Sequence, residues 1–305
     1  MESIQNDNQT IKNIGNILND SSRPLKERFR ALFTLRNIGG EESVRCIEDC
    51  FTDTSVLLKH ECAYCLGQMQ DPLAVPKLES ILANVKEDAI VRHEAAEALA
   101  AIGQKTSLDI LQKYTKDPCV EVSQTCELAV KKMQEGNSNS TTSENPYKSI
   151  DPANPLPIHS YKSIDELESI LLDESQPLYT RYQAMFSLRN ISTDTSAIAL
   201  AKGLKGGSAL FRHEVAYVLG QMQNPSTVKQ LSSVLFDEKE HEMVRHECAE
   251  ALGSIATEEC MEVLGRYVKD ERCVVRESCE VALDMCDYEN NAEFQYADAL
   301  AKATS

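Results

Sequence analysis

No apolar run in this 305-residue chain approaches the ~18 residues that span a bilayer. Its first ten residues, MESIQNDNQT, have neither a basic n-region nor an apolar h-region. The expectation is a cytoplasmic protein, neither secreted nor inserted in a membrane. Positive charge is in short supply too: 31 Lys+Arg stand against 48 Asp+Glu, a formal net charge of −17. Such a field repels nucleic acid and favours metals, polyamines or a basic protein as partner, although a surface that merely keeps the chain in solution would look the same. Alternating β-rich runs between Gly/Asn turns are missing, which argues against a sheet. Cysteine is not scarce, but eleven is an odd number and many of the eleven fall within helical apolar patterns, where a free thiol behaves as a small hydrophobe. That pattern suits a reducing compartment. With 42% hydrophobic and 26% charged residues, the chain can bury one large core or two smaller ones.

What the chain does have is itself, twice. At an offset of 153 residues, RFRALFTLRNIG (28 to 39) meets RYQAMFSLRNIS (181 to 192), and YTKDPCVEVSQTCELAV (114 to 130) meets YVKDERCVVRESCEVAL (267 to 283), with no gap between them. Residues 1–135 and 163–288 are therefore read as an N-terminal and a C-terminal repeat half, followed by a tail over 289–305. Residues 136–162 hold four of the ten prolines and a Ser/Thr/Asn run that cannot form a core, and read as a flexible linker.

A shorter period lies inside each half. His60 to His93 and His213 to His246 are both 33 residues, the length of one helix-turn-helix, with Asp71-Pro72 and Asn224-Pro225 as punctuation. Within 58–69, Leu58, Cys62, Cys65, Leu66 and Met69 follow the spacing of an amphipathic helix. Tandem helical pairs of this length stack into an α-solenoid, about four pairs per half. The fold class is all-α.

Each of these four histidines is followed by glutamate: His60-Glu61, His93-Glu94, His213-Glu214 and His246-Glu247. At ~100° per residue, residue 60 lies ~200° from the core position Cys62, so His60, Tyr64 and Gln68 share a face turned away from their own repeat's core. His213, Tyr217 and Gln221 repeat that face. A lone histidine there would be a solvated or locally hydrogen-bonded side chain, but four of the chain's six histidines occupy equivalent sites. General acid–base catalysis needs one or two such groups, not a symmetric set of eight. Metal binding uses all of them: packed helices ~8–10 Å apart let His and Glu of neighbouring repeats converge. A set of two histidines and one carboxylate leaves coordination positions open, as non-haem iron requires, and two sets make a two-metal site.

Two other motifs fail the comparison between halves. Cys62 and Cys65 have CxxC spacing, but their counterparts are Val215 and Val218, so these are apolar core positions. Glu238 and His241 have the E-x-x-H spacing of carboxylate-bridged di-iron helices, but Val85 and Asp88 stand in their place in the first half. Two weaker candidates remain. Glu97 and Glu250 lie one turn beyond His93 and His246, where a carboxylate could hold an imidazole N–H or simply face solvent. Tyr64 and Tyr217 are read as packing residues. The residues alone leave open a non-catalytic adaptor that binds a basic partner on an acidic concave surface, and a zinc hydrolase on the same ligands.

Four His–Glu pairs on two sets of HEAT-like repeats joined by a variable linker resemble the deoxyhypusine hydroxylase family, over the whole chain except linker and tail. The resemblance implies a di-iron monooxygenase that uses two Fe(2+) ions and O2 to hydroxylate the deoxyhypusine side chain of one translation factor. It further implies that His60, His93, Glu94, His213, His246 and Glu247 bind iron and that Glu61 and Glu214 bind substrate. The expected architecture is then two halves facing each other across the metal site in a monomer that engages a protein substrate, not nucleic acid or membrane.

Overall fold

The computed structural model describes residues 8–136 and 145–291. Of the expected linker and tail, residues 137–144 and 292–305 lie outside the described residues, as do 1–7.

Sixteen α-helices, and no strand among the described residues, pair into eight hairpins. The first half contains α1 (Asn8–Asn19) with α2 (Leu25–Ile38), α3 (Glu41–Asp49) with α4 (Val56–Met69), α5 (Val75–Ala83) with α6 (Ala89–Ile102), and α7 (Leu108–Tyr114) with α8 (Val120–Glu135). The second repeats the plan: α9 (Ile164–Leu172) with α10 (Leu178–Ile191), α11 (Asp194–Ala201) with α12 (Ala209–Met222), α13 (Val228–Phe236) with α14 (Glu242–Ile255), and α15 (Glu258–Tyr267) with α16 (Cys273–Glu289).

Local chemistry sets the ends of the four histidine-bearing helices. Ser55, Asp88 and Ser208 accept a backbone N–H of the first turn of α4, α6 and α12. Nδ1 of His241 does the same for α14. His241 is thus the counterpart of the capping Asp88, which accounts for the E-x-x-H spacing without a metal. Gln70, Gly103, Gln223 and Ala256 end these helices in the left-handed region, at φ of 54°, 74°, 48° and 55°. Asp71 and Asn224 then accept from the second residue beyond, Leu73 and Ser226, and start the short turn that opens the next hairpin.

The even-numbered helices stack side by side as the inner row of each half. Small residues set their spacing. A Cβ on Gly67 of α4 would lie 2.8 Å from Cα of Ala98 on α6, and one on Gly220 of α12 would lie 3.0 Å from Cα of Ala251 on α14. Leu66, Leu99, Leu219 and Leu252 are fully buried between the rows, each contributing about 1.5–3 kcal/mol. Cys62, Cys65, Val215 and Val218 are also fully buried, as their interchangeability implied. All eleven cysteines are free.

A polar rung recurs beneath this packing. Nε of Arg28, Arg92, Arg181 and Arg245 donates to the carbonyl of the residue ten before it, near the end of the preceding helix (Leu18, Leu82, Leu171, Leu235). Three of the four guanidinium groups continue to an aspartate 25 residues on: Asp53, Asp117 or Asp270. Arg181 has no such aspartate, because position 206 is Gly, and lies instead over the ring of Phe211.

The halves close into a ring. Helix α8 packs on α10 and α12, and α16 packs on α2 and α4, the equivalent junction. Tyr179 donates to Glu135 at 2.7 Å across the first junction, while Arg30 forks onto Asp284 and Ser55 donates to Glu277 at 2.8 Å across the second. The described part of the linker is fastened to both halves. Gln68 bonds N–H and C=O of Ile150, and Arg189 grips Asp151 at 2.7 and 2.9 Å. Residues 145–157 thus follow one path over the ring, more constrained than the free tether their composition suggests.

Candidate metal centre

On α4, α6, α12 and α14 the His–Glu pairs sit at the same height, the fifth and sixth residues of each helix, and all point into the ring. The four imidazoles are nearly sealed from solvent, 0–5% exposed. The face turned away from each repeat's own core is covered by the facing half, a burial that helical register alone does not reveal.

The rings form a rhombus. Centroids lie 5.5 Å apart for His60–His93 and 5.3 Å for each of His93–His213, His213–His246 and His246–His60, and the short diagonal His60–His213 is 5.9 Å. Exchanging the halves maps each side onto its opposite, so an approximate twofold axis runs between His60 and His213. Nε2 of His60 is 3.3 Å from Glu94, and Nε2 of His213 is 3.3 Å from Glu247. Two ligand triads have donor atoms within 4.8 Å of one another: His60, His93 and Glu94 from one half, and His60, His213 and His246 from both.

This donor set fits a metal. Both ring nitrogens of His93 and of His213, Nε2 of His60 and of His246, and one oxygen of Glu214 are buried without a hydrogen-bond partner. Burial of polar groups is costly unless something satisfies them, and here they converge on one space. Burial, and then the neighbouring histidines, hold His93, His213 and His246 well below the usual imidazole range, so they are neutral donors at neutral pH. For His60 burial acts in the same direction, but the adjacent carboxylates of Glu61 and Glu94 outweigh it and raise its pKa. Burial first, then neighbouring acids, pushes Glu97, Glu214 and Glu247 well above the usual carboxylate range. A cation among them would reverse that tendency.

The remaining candidates differ between the halves. Glu61 reaches Nδ1 of His60 at 3.2 Å, whereas Glu214 makes no such contact. Glu250 lies 3.4 Å from Nδ1 of His246 and accepts from Ser278, the placement that an orienting role would need. No hydrogen bond joins Glu97 to His93 among the described residues, and Nδ1 of His93 is unpartnered. Tyr64 and Tyr217 do more than pack: their hydroxyls bond each other at 3.1 Å on the twofold axis, one turn beyond His60 and His213.

A cavity of about 270 Å³ extends from the rhombus to the surface. Six glutamates line it: Glu61, Glu94, Glu97, Glu214, Glu247 and Glu250. Its outer wall is Phe33, Gln223, Ser254 and Met285, none of them among the sequence candidates. Ser254 was within reach, two turns beyond His246 on the face that carries Glu250. Phe33 and Met285 come from hairpins without histidine and carry no local signal.

Fold and side chains together define a HEAT-repeat protein with a buried histidine–glutamate site suited to metal. Family models agree on the repeats: one described as HEAT repeats matches residues 197–284, and one described as PBS lyase HEAT-like repeat matches 58–84 and 91–117. The chain is 55% identical to deoxyhypusine hydroxylase of Drosophila melanogaster, over 96% of this chain and 97% of the relative. To the Homo sapiens enzyme it is 51% identical, over 96% of each chain. The structure of human deoxyhypusine hydroxylase in complex with glycerol superposes with a TM-score of 0.88 at 50% identity, covering 92% of this chain and 97% of that one. The chain belongs to the deoxyhypusine hydroxylase family and is an enzyme of that activity, which sets aside the non-catalytic adaptor. No described helix is long and apolar enough to cross a membrane.

Proposed function

We propose that this enzyme hydroxylates the deoxyhypusine side chain of a translation factor with O2, at two Fe(2+) ions held by His60, His93, Glu94, His213, His246 and Glu247. The observation that carries the reading is the rhombus of four buried imidazoles, each with at least one ring nitrogen that has no hydrogen-bond partner. When bound, the ions and O2 would supply the oxidising power for an aliphatic C–H, and the protein supplies everything else. Two ferrous ions bring +4 and two ligating carboxylates −2, and Glu61 and Glu214 can balance the remainder.

Those two glutamates, with Glu97 and Glu250, also suit the substrate. A deoxyhypusine side chain carries two amines on an aliphatic stem. Charge-assisted hydrogen bonds from buried carboxylates would fix both amines and leave one C–H facing the metal centre. The hydrogen-bonded Tyr64–Tyr217 pair lines the cavity one turn from the histidines and, with their near-complete burial, would limit the water that reaches the oxidant. A zinc hydrolase would use the same residue types, since His and Glu serve both ions. Metal analysis therefore decides. His60→Ala and His246→Ala should each lower bound iron while leaving the helical circular dichroism spectrum unchanged, because Leu, Ala and Cys contacts hold the helices. Full iron content in both variants, or zinc at two per chain in the parent purified without added metal, would overturn the reading.

A further inference from the structure

An approximate twofold ring should have two equivalent mouths, one on each side of the axis, yet among the described residues the outer lining of the cavity lies on one side. Its outer wall contains Gln223, Ser254 and Met285. Subtracting 153 from each number gives Gln70, Ala101 and Lys132, and these three residues line a separate recess together with Ser149, Ile150, Asp151, Ala153, Asn154 and Pro155 of the linker. None of the site histidines or glutamates borders that recess. The linker occupies the second mouth.

Its seating there is specific. Pro152 and Ala153 are buried, and Lys132 donates to Asn154 at 2.5 Å, where its counterpart Met285 borders the open cavity. Gln68 and Gln221, twofold mates one turn beyond the tyrosine pair, bind consecutive linker residues, Ile150 and Ser149. Arg189, which has no exposed surface, is saturated by Asp151, Asn145 and Gln221.

We infer that residues 149–155 are a plug that removes the symmetry of the site, so that the amine side chain of the substrate enters only by the mouth at Gln223, Ser254 and Met285. The plug is a positioning element for the proposed reaction. With one mouth, a substrate stem always approaches the rhombus from the same side, so Glu61 and Glu214, equivalent by duplication, take different amines of one substrate. The inference rests on the proposed function for its substrate but not for its geometry.

Two readouts keep those apart. The chain has no tryptophan, so Tyr217→Trp places a single emitter beside the cavity. In that background Ser254→Phe should reduce acrylamide quenching at least threefold, whereas Ala101→Phe, its mate on the plugged side, should leave it within experimental error. Replacing 149–155 by a Gly/Ser stretch of equal length should restore quenching to the Ser254→Phe protein. In otherwise unaltered protein, Ser254→Phe should weaken binding of a deoxyhypusine-bearing translation factor at least tenfold with iron content unchanged, and Ala101→Phe should weaken it less than twofold. Equal quenching effects of Ser254→Phe and Ala101→Phe, or none from Ser254→Phe, would overturn the single mouth. If quenching behaves as stated but the parent does not bind the deoxyhypusine-bearing protein, the substrate assignment falls and the plug stands. Should the Gly/Ser variant not fold, the Ser254/Ala101 pair still decides.

Discussion

His93→Leu should make the metal-free protein more stable and the metal-loaded protein less so. His93 is fully buried and both its nitrogens lack a hydrogen-bond partner. Leucine has similar volume and nothing to satisfy, so the metal-free variant should gain about 1–3 kcal/mol, the cost of leaving a buried polar group unpaired. For 305 residues at about 2.1 cal/mol/K of unfolding entropy per residue, 1 kcal/mol moves Tm by roughly 1.6 °C, so the gain is about 2–5 °C. In the parent, free ferrous ion at about 1,000 times its Kd adds about 4 kcal/mol, or roughly 6 °C. The variant lacks a ligand and should show less than half that shift. Anaerobic calorimetry with and without Fe(2+) measures both numbers. A histidine present for packing would give a lower Tm in both states. That result, or an undiminished iron shift, would refute the reasoning.

Other outcomes follow from the same geometry. Glu61→Ala and Glu214→Ala should retain more iron than Glu94→Ala and Glu247→Ala but lose affinity for the deoxyhypusine-bearing protein; equal iron loss in all four, read by metal analysis, would undo that division of roles. Gly67→Ala should cost about 1–3 kcal/mol in denaturant unfolding, because a new Cβ would meet Ala98 at 2.8 Å and force α4 from α6; an unchanged midpoint would mean that the helices yield freely. Burial opposes ionisation of Asp117 and Asp270, but the hydrogen bond from Arg92 or Arg245 prevails and depresses their pKa in the folded state. Their contribution is therefore present above the unfolded value of ~3.9 and lost as pH falls through the folded one, so Asp117→Asn should lower stability at pH 7 and flatten its decline below pH 4, with a parallel acid limb as the contrary result. Residues 8–136 and 145–291 made as separate chains should each be inactive and recover hydroxylation on mixing; activity from either alone would exclude a shared site.

Much of this was legible because duplication left a comparison inside one chain. The 153-residue offset exposed the His–Glu quartet and dismissed the Cys62–Cys65 spacing, since Val215 and Val218 fill the same core positions. The E-x-x-H spacing fell to the same comparison, and the structure adds the reason: His241 caps α14 as Asp88 caps α6. Register placed Tyr64 and Tyr217 on the histidine face but not against each other, because their contact arises only when one half meets the other across the axis. Composition marked the linker as unable to form a core, yet its Pro152 and Ala153 are buried against the ring. Its seating depends on Gln68, Gln221 and Arg189, residues far away in sequence. Glu97 and Glu250 occupy identical register positions yet differ in partners, because Ser278 bonds only Glu250.

The junctions of α8 with α10 and α16 with α2 have one more consequence. Stacked repeats ordinarily require terminal units with a polar outer face, since the last hairpin otherwise exposes the surface on which a further one would grow. In this ring each half terminates the other, so growth stops at eight hairpins by geometry, without dedicated end pieces. Repeat number, elsewhere the most freely varied property of such proteins, is here tied to chemistry. A ninth hairpin inserted in either half would part the two junctions and draw His60 away from His213. The same closure that seals the ends counts the repeats.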